Sequence, residues 1–126
     1  MTESMKIFIW GREHSLPIVY DCYEGESVSQ EQIDSLRVFI GHSDWIDKAK
    51  IRVEAYCREC VDEDDKNQKK DNIFSYIKPE SIFIKREKHH PRVAMMCKYR
   101  YDPEHGLAVV FTRDGGITVG AQDIIL

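Results

Sequence analysis

The sequence is short of the features that mark a chain for a membrane or for export. Its unbroken apolar runs are only a few residues long, as at residues 107–111. A helix needs about 20 such residues to cross a bilayer, so no membrane partner is expected. The first ten residues lack a basic patch followed by a sustained apolar stretch and a small-residue cleavage site, which argues for a cytoplasmic protein. Four prolines and seven glycines in 126 residues are too few for a low-complexity or disordered chain. Also missing are a glycine-rich phosphate loop, a nucleophile beside a recognisable base and a complete set of metal-ligand spacings. The sequence therefore predicts no catalytic residue, no metal and no cofactor.

What is present is an ordinary globular composition, 42% hydrophobic and 32% charged, at a length suited to one domain spanning residues 1–126 with a core of its own. The four cysteines, Cys22, Cys57, Cys60 and Cys97, read as reduced thiols in a cytoplasmic setting. The net charge of −4 is unevenly placed, with 11 basic and 16 acidic side chains in residues 1–78 against 7 and 6 in residues 79–126. An acidic front is repelled by nucleic-acid backbones and suits a basic protein surface, where charge complementarity raises encounter rate and specificity.

Periodicity supplies the elements. Residues 5–10 and 16–23 are β-prone runs separated by residues 11–15 and predict an opening pair of strands, with Pro17 at an edge or a strand start. Ser29 and Gln32 have the spacing of a capping box, with Val28 and Ile33 as a hydrophobic staple. Ile33, Leu36 and Ile40 follow at helical steps, and Gly41 is a natural stop. A second helix is expected from Ser43 or Asp44 to about Val61, its apolar stripe drawn by Ile46, Ala49, Val53, Cys57 and Cys60.

Residues 62–71 have no apolar period and read as a polar loop. Residues 72–77 suggest a short helical turn before Pro79. Strands are then expected over residues 81–86, 93–101, 107–112 and 117–122, with Val93, Met95, Cys97, Tyr99 and Tyr101 on a packed face and Ala94, Met96, Lys98 and Arg100 turned to water. Strands, then helices, then a meander predict an α+β fold with both helices packed on an antiparallel sheet.

Several residues invite a chemical reading. Cys57 and Cys60 are spaced like half a zinc site or a redox pair, but i and i+3 share a helix face, and core packing is the stronger reading. Glu104 and His105 could act as acid and base or as ligands, yet with Asp102, Pro103 and Gly106 they form the chemistry of a turn, which is the stronger reading. A small metalloprotein or enzyme using His105 and Glu104, or Cys57 and Cys60, is the alternative to a binding protein.

The basic residues between Lys85 and Arg92, with Lys98, Arg100, Tyr99 and Tyr101, come nearest to a nucleic-acid surface. The acidic balance favours a solvated hairpin and no nucleic-acid partner. Trp10 and Trp45 could be interface anchors, though core filling is the stronger reading. Asp62, Glu63, Asp64 and Asp65 form the densest charge on the chain, without the spacing of a calcium loop. They are the candidate protein-binding residues.

The C-terminal pattern of Asp102, Glu104, His105 and Gly106, completed by Val119, Gly120, Gln122, Asp123 and Ile124, resembles a family of small bacterial proteins ending in D-x-E-H-G and V-G-x-Q-D-I. A looser likeness covers Gly25, Glu26, Val28, Glu31 and Gln32. Such domains resemble immunity proteins of polymorphic-toxin and contact-dependent inhibition loci. The resemblance implies a non-catalytic partner for a cognate toxin domain, held by direct binding, and brings no catalytic residue with it. A housekeeping interaction module is the remaining alternative.

Overall fold

In the computed structural model, residues 4–22, 25–42, 44–60, 77–100 and 104–125 are described, those at 58–60 by backbone alone. The chain opens with strand β1 (Ser4–Ile9), which turns through Trp10 and Gly11 into β2 (Arg12–Tyr20). Both turn residues have positive φ, 47° and 92°, the signature of a two-residue hairpin whose twist matches its strands. The separator expected at residues 11–15 is therefore shorter, and β2 starts earlier. Helices α1 (Gln30–Gly41) and α2 (Asp44–Cys60) follow, then β3 (Ile77–Ile84), β4 (Val93–Tyr99), β5 (Leu107–Phe111), β6 (Ile117–Gly120) and a 3₁₀ turn at Gln122–Ile124.

The six strands lie side by side in chain order, giving the expected α+β arrangement with one difference: the sheet is mixed. β2 runs parallel to β3 through Ile18 and Ile82, Val19 and Phe83, and Tyr20 and Ile84. The other neighbours are antiparallel. A parallel pair needs a long crossover, and the two helices lie within that connection. Residues 12–17 of β2 pair with β1, and residues 18–20 pair with β3. Pro17, which has no amide hydrogen, sits at the handover opposite Ser4. Pro79 likewise lies at the register shift inside β3. Both prolines thus fall where a ladder is interrupted. Ile77 opens β3 instead of ending a helical turn, and residues 72–76 lie outside the described set, as do the polar residues 62–71.

Register decides which side chains share a face. Ile82, Met95, Val109 and Val119 form one row across the sheet, and Ile84, Val93, Phe111 and Ile117 form the next. These rows meet Leu36 and Phe39 of α1 and Trp45, Ile46, Ala49, Val53 and Cys57 of α2 in the main core. The α2 stripe is the expected one. The α1 stripe is rotated: Gln32, Ser35, Leu36 and Phe39 are buried, whereas Ile40 is 52% exposed. The opposite sheet face, expected to be wet along β4, is also closed. Ala94, Met96, Ala108 and Val110 form a second apolar cluster with Ile125, and only Lys98 and Arg100 turn outward.

The rotation of α1 has a polar cause. The Ser29 and Gln32 capping box forms as expected, but Gln32 itself is 0% exposed. Its Oε1 accepts from the Ser29 amide at 3.0 Å. Its Nε2 donates to the carbonyls of Asp21 at 2.9 Å and Ile84 at 3.2 Å. One buried amide thus closes the start of α1 and ties it to the ends of both parallel strands. At the other end of the chain, Gly106 has φ 65°, and a Cβ there would stand 2.7 Å from Gln122 Nε2 and 2.8 Å from the Cys97 carbonyl oxygen. The space is needed because Gln122 Nε2 donates to that carbonyl at 3.0 Å, while the Gln122 amide donates to the His105 carbonyl at 3.1 Å.

Two stability predictions follow from these contacts. Gln32→Leu removes the donor to both strand carbonyls and should lower unfolding free energy by roughly 2–4 kcal/mol in urea titrations. Gln32→Glu, which keeps the capping acceptor, should not restore it, because a carboxylate cannot donate to a carbonyl. Gly106→Ala should cost roughly 2–4 kcal/mol through left-handed strain and the clash at the Cys97 carbonyl. Gln122→Ala should leave that backbone clash in place, so the double variant should remain well below the wild type.

Candidate functional site

Where β2 and β3 end and α1 begins, the chain builds an open polar cleft of about 520 Å³ lined by Glu26, Ser29, Glu31, Arg86, Glu87 and Lys88. Its walls are set by backbone. The Asp21 amide donates to the Ile84 carbonyl at 2.9 Å, and the Lys85 amide to the Arg92 carbonyl at 3.0 Å. Arg86 is held from three sides: its amide donates to Asp21 Oδ2 at 3.2 Å, Nη1 donates to the Ser27 carbonyl at 3.0 Å, and Nη2 pairs with Glu26 at 2.6 Å. Glu87 forms a two-pronged pair with Arg92, with both bonds at 3.1 Å. Burial pushes the Glu87 carboxyl up, but the Arg92 hydrogen bonds and charge outweigh it and hold the group below the usual carboxylate value.

These pairings bear on the basic run expected at residues 85–92. Lys85 lies 3.7 Å from Asp21, and Lys98 lies 3.7 Å from Glu80, so Lys85, Arg86, Arg92 and Lys98 each already face an acid. The two guanidiniums are the most closely held, so a phosphate reaching Arg86 or Arg92 would compete with Glu26 or Glu87. Tyr99, a candidate ring for stacking on a base, is 1% exposed, and Tyr101 lies outside the described residues. A second, smaller hollow of about 300 Å³ lies between α2 and β6, lined by Arg52, Ala55, Tyr56, Ile117, Thr118 and Val119.

Among the described residues, the chemically suggestive side chains do not converge. Cys57 is fully buried in the core, and the Cys60 side chain is outside the described set. Cys97 is also in the core. There burial, reinforced by Glu80 and by Cys57, pushes its thiol far above the ordinary value, so it stays protonated at neutral pH. Glu104 and His105 are exposed on the turn before β5, with the His105 carbonyl engaged by Gln122. No group of three or more metal-ligating side chains occurs among the described residues. No described helix is long and apolar enough to cross a membrane. Asp62, Glu63, Asp64 and Asp65 lie outside the described residues.

Both tryptophans serve the fold. Trp45 is 6% exposed and stacks between His42, with ring centroids 4.5 Å apart, and Phe111, at 6.2 Å. Trp10 donates its indole N–H to the Ile46 carbonyl at 2.9 Å, pinning the hairpin tip to α2. Arg113 also escaped the sequence reading. From the β5–β6 turn, its Nη2 donates to Ser35 Oγ at 2.6 Å and to the Glu31 carbonyl at 3.4 Å. A lone arginine in a glycine-rich turn carries no sequence signal for such a reach.

No curated protein and no solved structure shows a significant match to this chain. A family model does match it, over residues 1–126, and the chain therefore belongs to the family described as Domain of unknown function (DUF6985).

Proposed function

We propose that this protein is a non-catalytic binding protein of the cytoplasm, and specifically an immunity protein that neutralises a cognate toxin domain by docking onto it. The observation that carries the proposal is the use made of the C-terminal motif. Gly106 and Gln122, two of the residues that carry the resemblance to immunity proteins, lock the last turn onto the Cys97 carbonyl. On this reading the motif serves as a frame that presents a surface. The acidic front supports a basic partner, since opposite charge speeds encounter and sharpens selection. Asp62, Glu63, Asp64 and Asp65 are the proposed contact.

The test is binding to the product of a toxin-bearing reading frame beside this gene. Replacing the four acids by Asn and Gln should weaken that complex roughly tenfold and flatten its salt dependence. Unchanged affinity removes the acidic segment from the interface. A neighbourhood with no such reading frame points to a housekeeping module instead. Stoichiometric zinc in the purified protein would favour a metal site at Cys57 and Cys60 or at Glu104 and His105.

A further inference from the structure

β1 lies at one end of the sheet order, and among the described residues it pairs only with β2. The two-residue turn fixes which of its backbone groups are used. Ile9 and Arg12 flank the turn and exchange hydrogen bonds, and the alternation of an antiparallel ladder makes Ile7 with His14 and Met5 with Leu16 the other bonded pairs. The N–H and C=O groups of Ser4, Lys6 and Phe8 therefore point away from β2. Their side chains share the outer face, where Ser4 and Lys6 are exposed and Phe8 is 67% exposed. The strand runs without a bulge or proline, two of the devices that blunt an edge, and carries one other, the exposed Lys6.

We propose that β1 is the pairing edge for a second copy of this chain, the two strands running antiparallel about a twofold axis centred on Ile7. In this register Lys6 and Phe8 of the partner copy exchange backbone hydrogen bonds, and the same happens again across the axis. On the outer face the lysine stem lies over the opposing phenyl ring, a favourable cation and aromatic contact. Glu13 stands beside Phe8 on the neighbouring strand, so each ammonium is directed toward an opposite charge on the other copy. Lys6 and Glu13 are both exposed, and neither has an ion-pair partner among the described residues. On the inner face Met5 meets Ile9, and Ile7 meets Ile7, which extends the apolar rows across the junction.

Other registers are worse. A slip of two residues one way sets Lys6 against Lys6, and like charges directly opposite are destabilising. A slip the other way leaves Phe8 as the one residue of the strand with an outward-facing counterpart. A single six-residue strand gives an interface at the small, transient end of the range, so the dimer should be concentration-dependent.

The test is sedimentation of the full chain over a wide concentration series. The wild type should pass from monomer to dimer. Phe8→Lys, which puts two lysine pairs face to face, should raise the dimer dissociation constant roughly tenfold or more with an unchanged circular dichroism spectrum, since Phe8 is exposed. Combining Phe8→Lys with Lys6→Phe exchanges the partners and should restore dimerisation; with the axis on residue 6 instead, Phe8→Lys alone would leave the dimer unchanged, because residue 8 there faces Ser4. A wild-type monomer at every concentration, a dimer indifferent to Phe8→Lys or a double variant as weak as the single one would each overturn the proposal. None of these readouts depends on a toxin.

Discussion

The buried Gln32 amide is the constraint on which the rest of the architecture depends. The crossover between parallel strands leaves backbone groups at the strand ends that a hydrophobic core cannot satisfy, and an unmet buried carbonyl is expensive. Gln32 meets the Asp21 carbonyl and adds a second donor to the Ile84 carbonyl, which the Asp21 amide already serves, while its oxygen closes the first turn of α1. Strand ends and helix start are fixed together by one side chain. The angle at which α1 enters the layer, and so the face it turns inward, follows from that point.

Burial on both faces of β4 and β5 is the second organising fact. Strands in the middle of a sheet are free to be apolar throughout only if something closes each side. Here the two helices close one side, and Ile125 contributes to the other. The 3₁₀ turn that carries Ile125 is held by Gln122, so a polar contact to Cys97 positions an apolar side chain that belongs to a different cluster. The two cores are thereby linked through the C-terminal segment.

Much of this was legible in the sequence. The stripe through Ile46, Ala49, Val53 and Cys57 was readable because a helix crossing an apolar sheet buries a regular step of three and four. The capping box was readable because both partners are local. The α1 stripe was misread because its buried face is chosen by the hydrogen bonds of Gln32 and Ser35, to which a hydropathy pattern is blind. The outer face of β4 was misread because Ala94 and Met96 lead into Lys98 and Arg100, and the charged end coloured the whole face. The parallel pairing of β2 with β3 has no local signature at all. The polar cleft was equally hidden, since Glu26, Ser29 and Arg86 come together only once that pairing exists. The pairing of Arg86 with Glu26, like that of Arg92 with Glu87, is a tertiary outcome that a count of charges cannot foresee.

The junction of β2 with β3 also governs the order in which such a chain can assemble. Ile18 and Ile82 are far apart along the polypeptide, whereas β3 through β6 are joined as near neighbours. Loop closure must be met before a distant contact can reward it, so the C-terminal meander is the part able to form early and the N-terminal hairpin the part that arrives last. A latecomer held by a three-residue parallel ladder is also the element best placed to be exchanged between nascent molecules. Concentrated refolding therefore favours entangled products in which hairpins have traded owners.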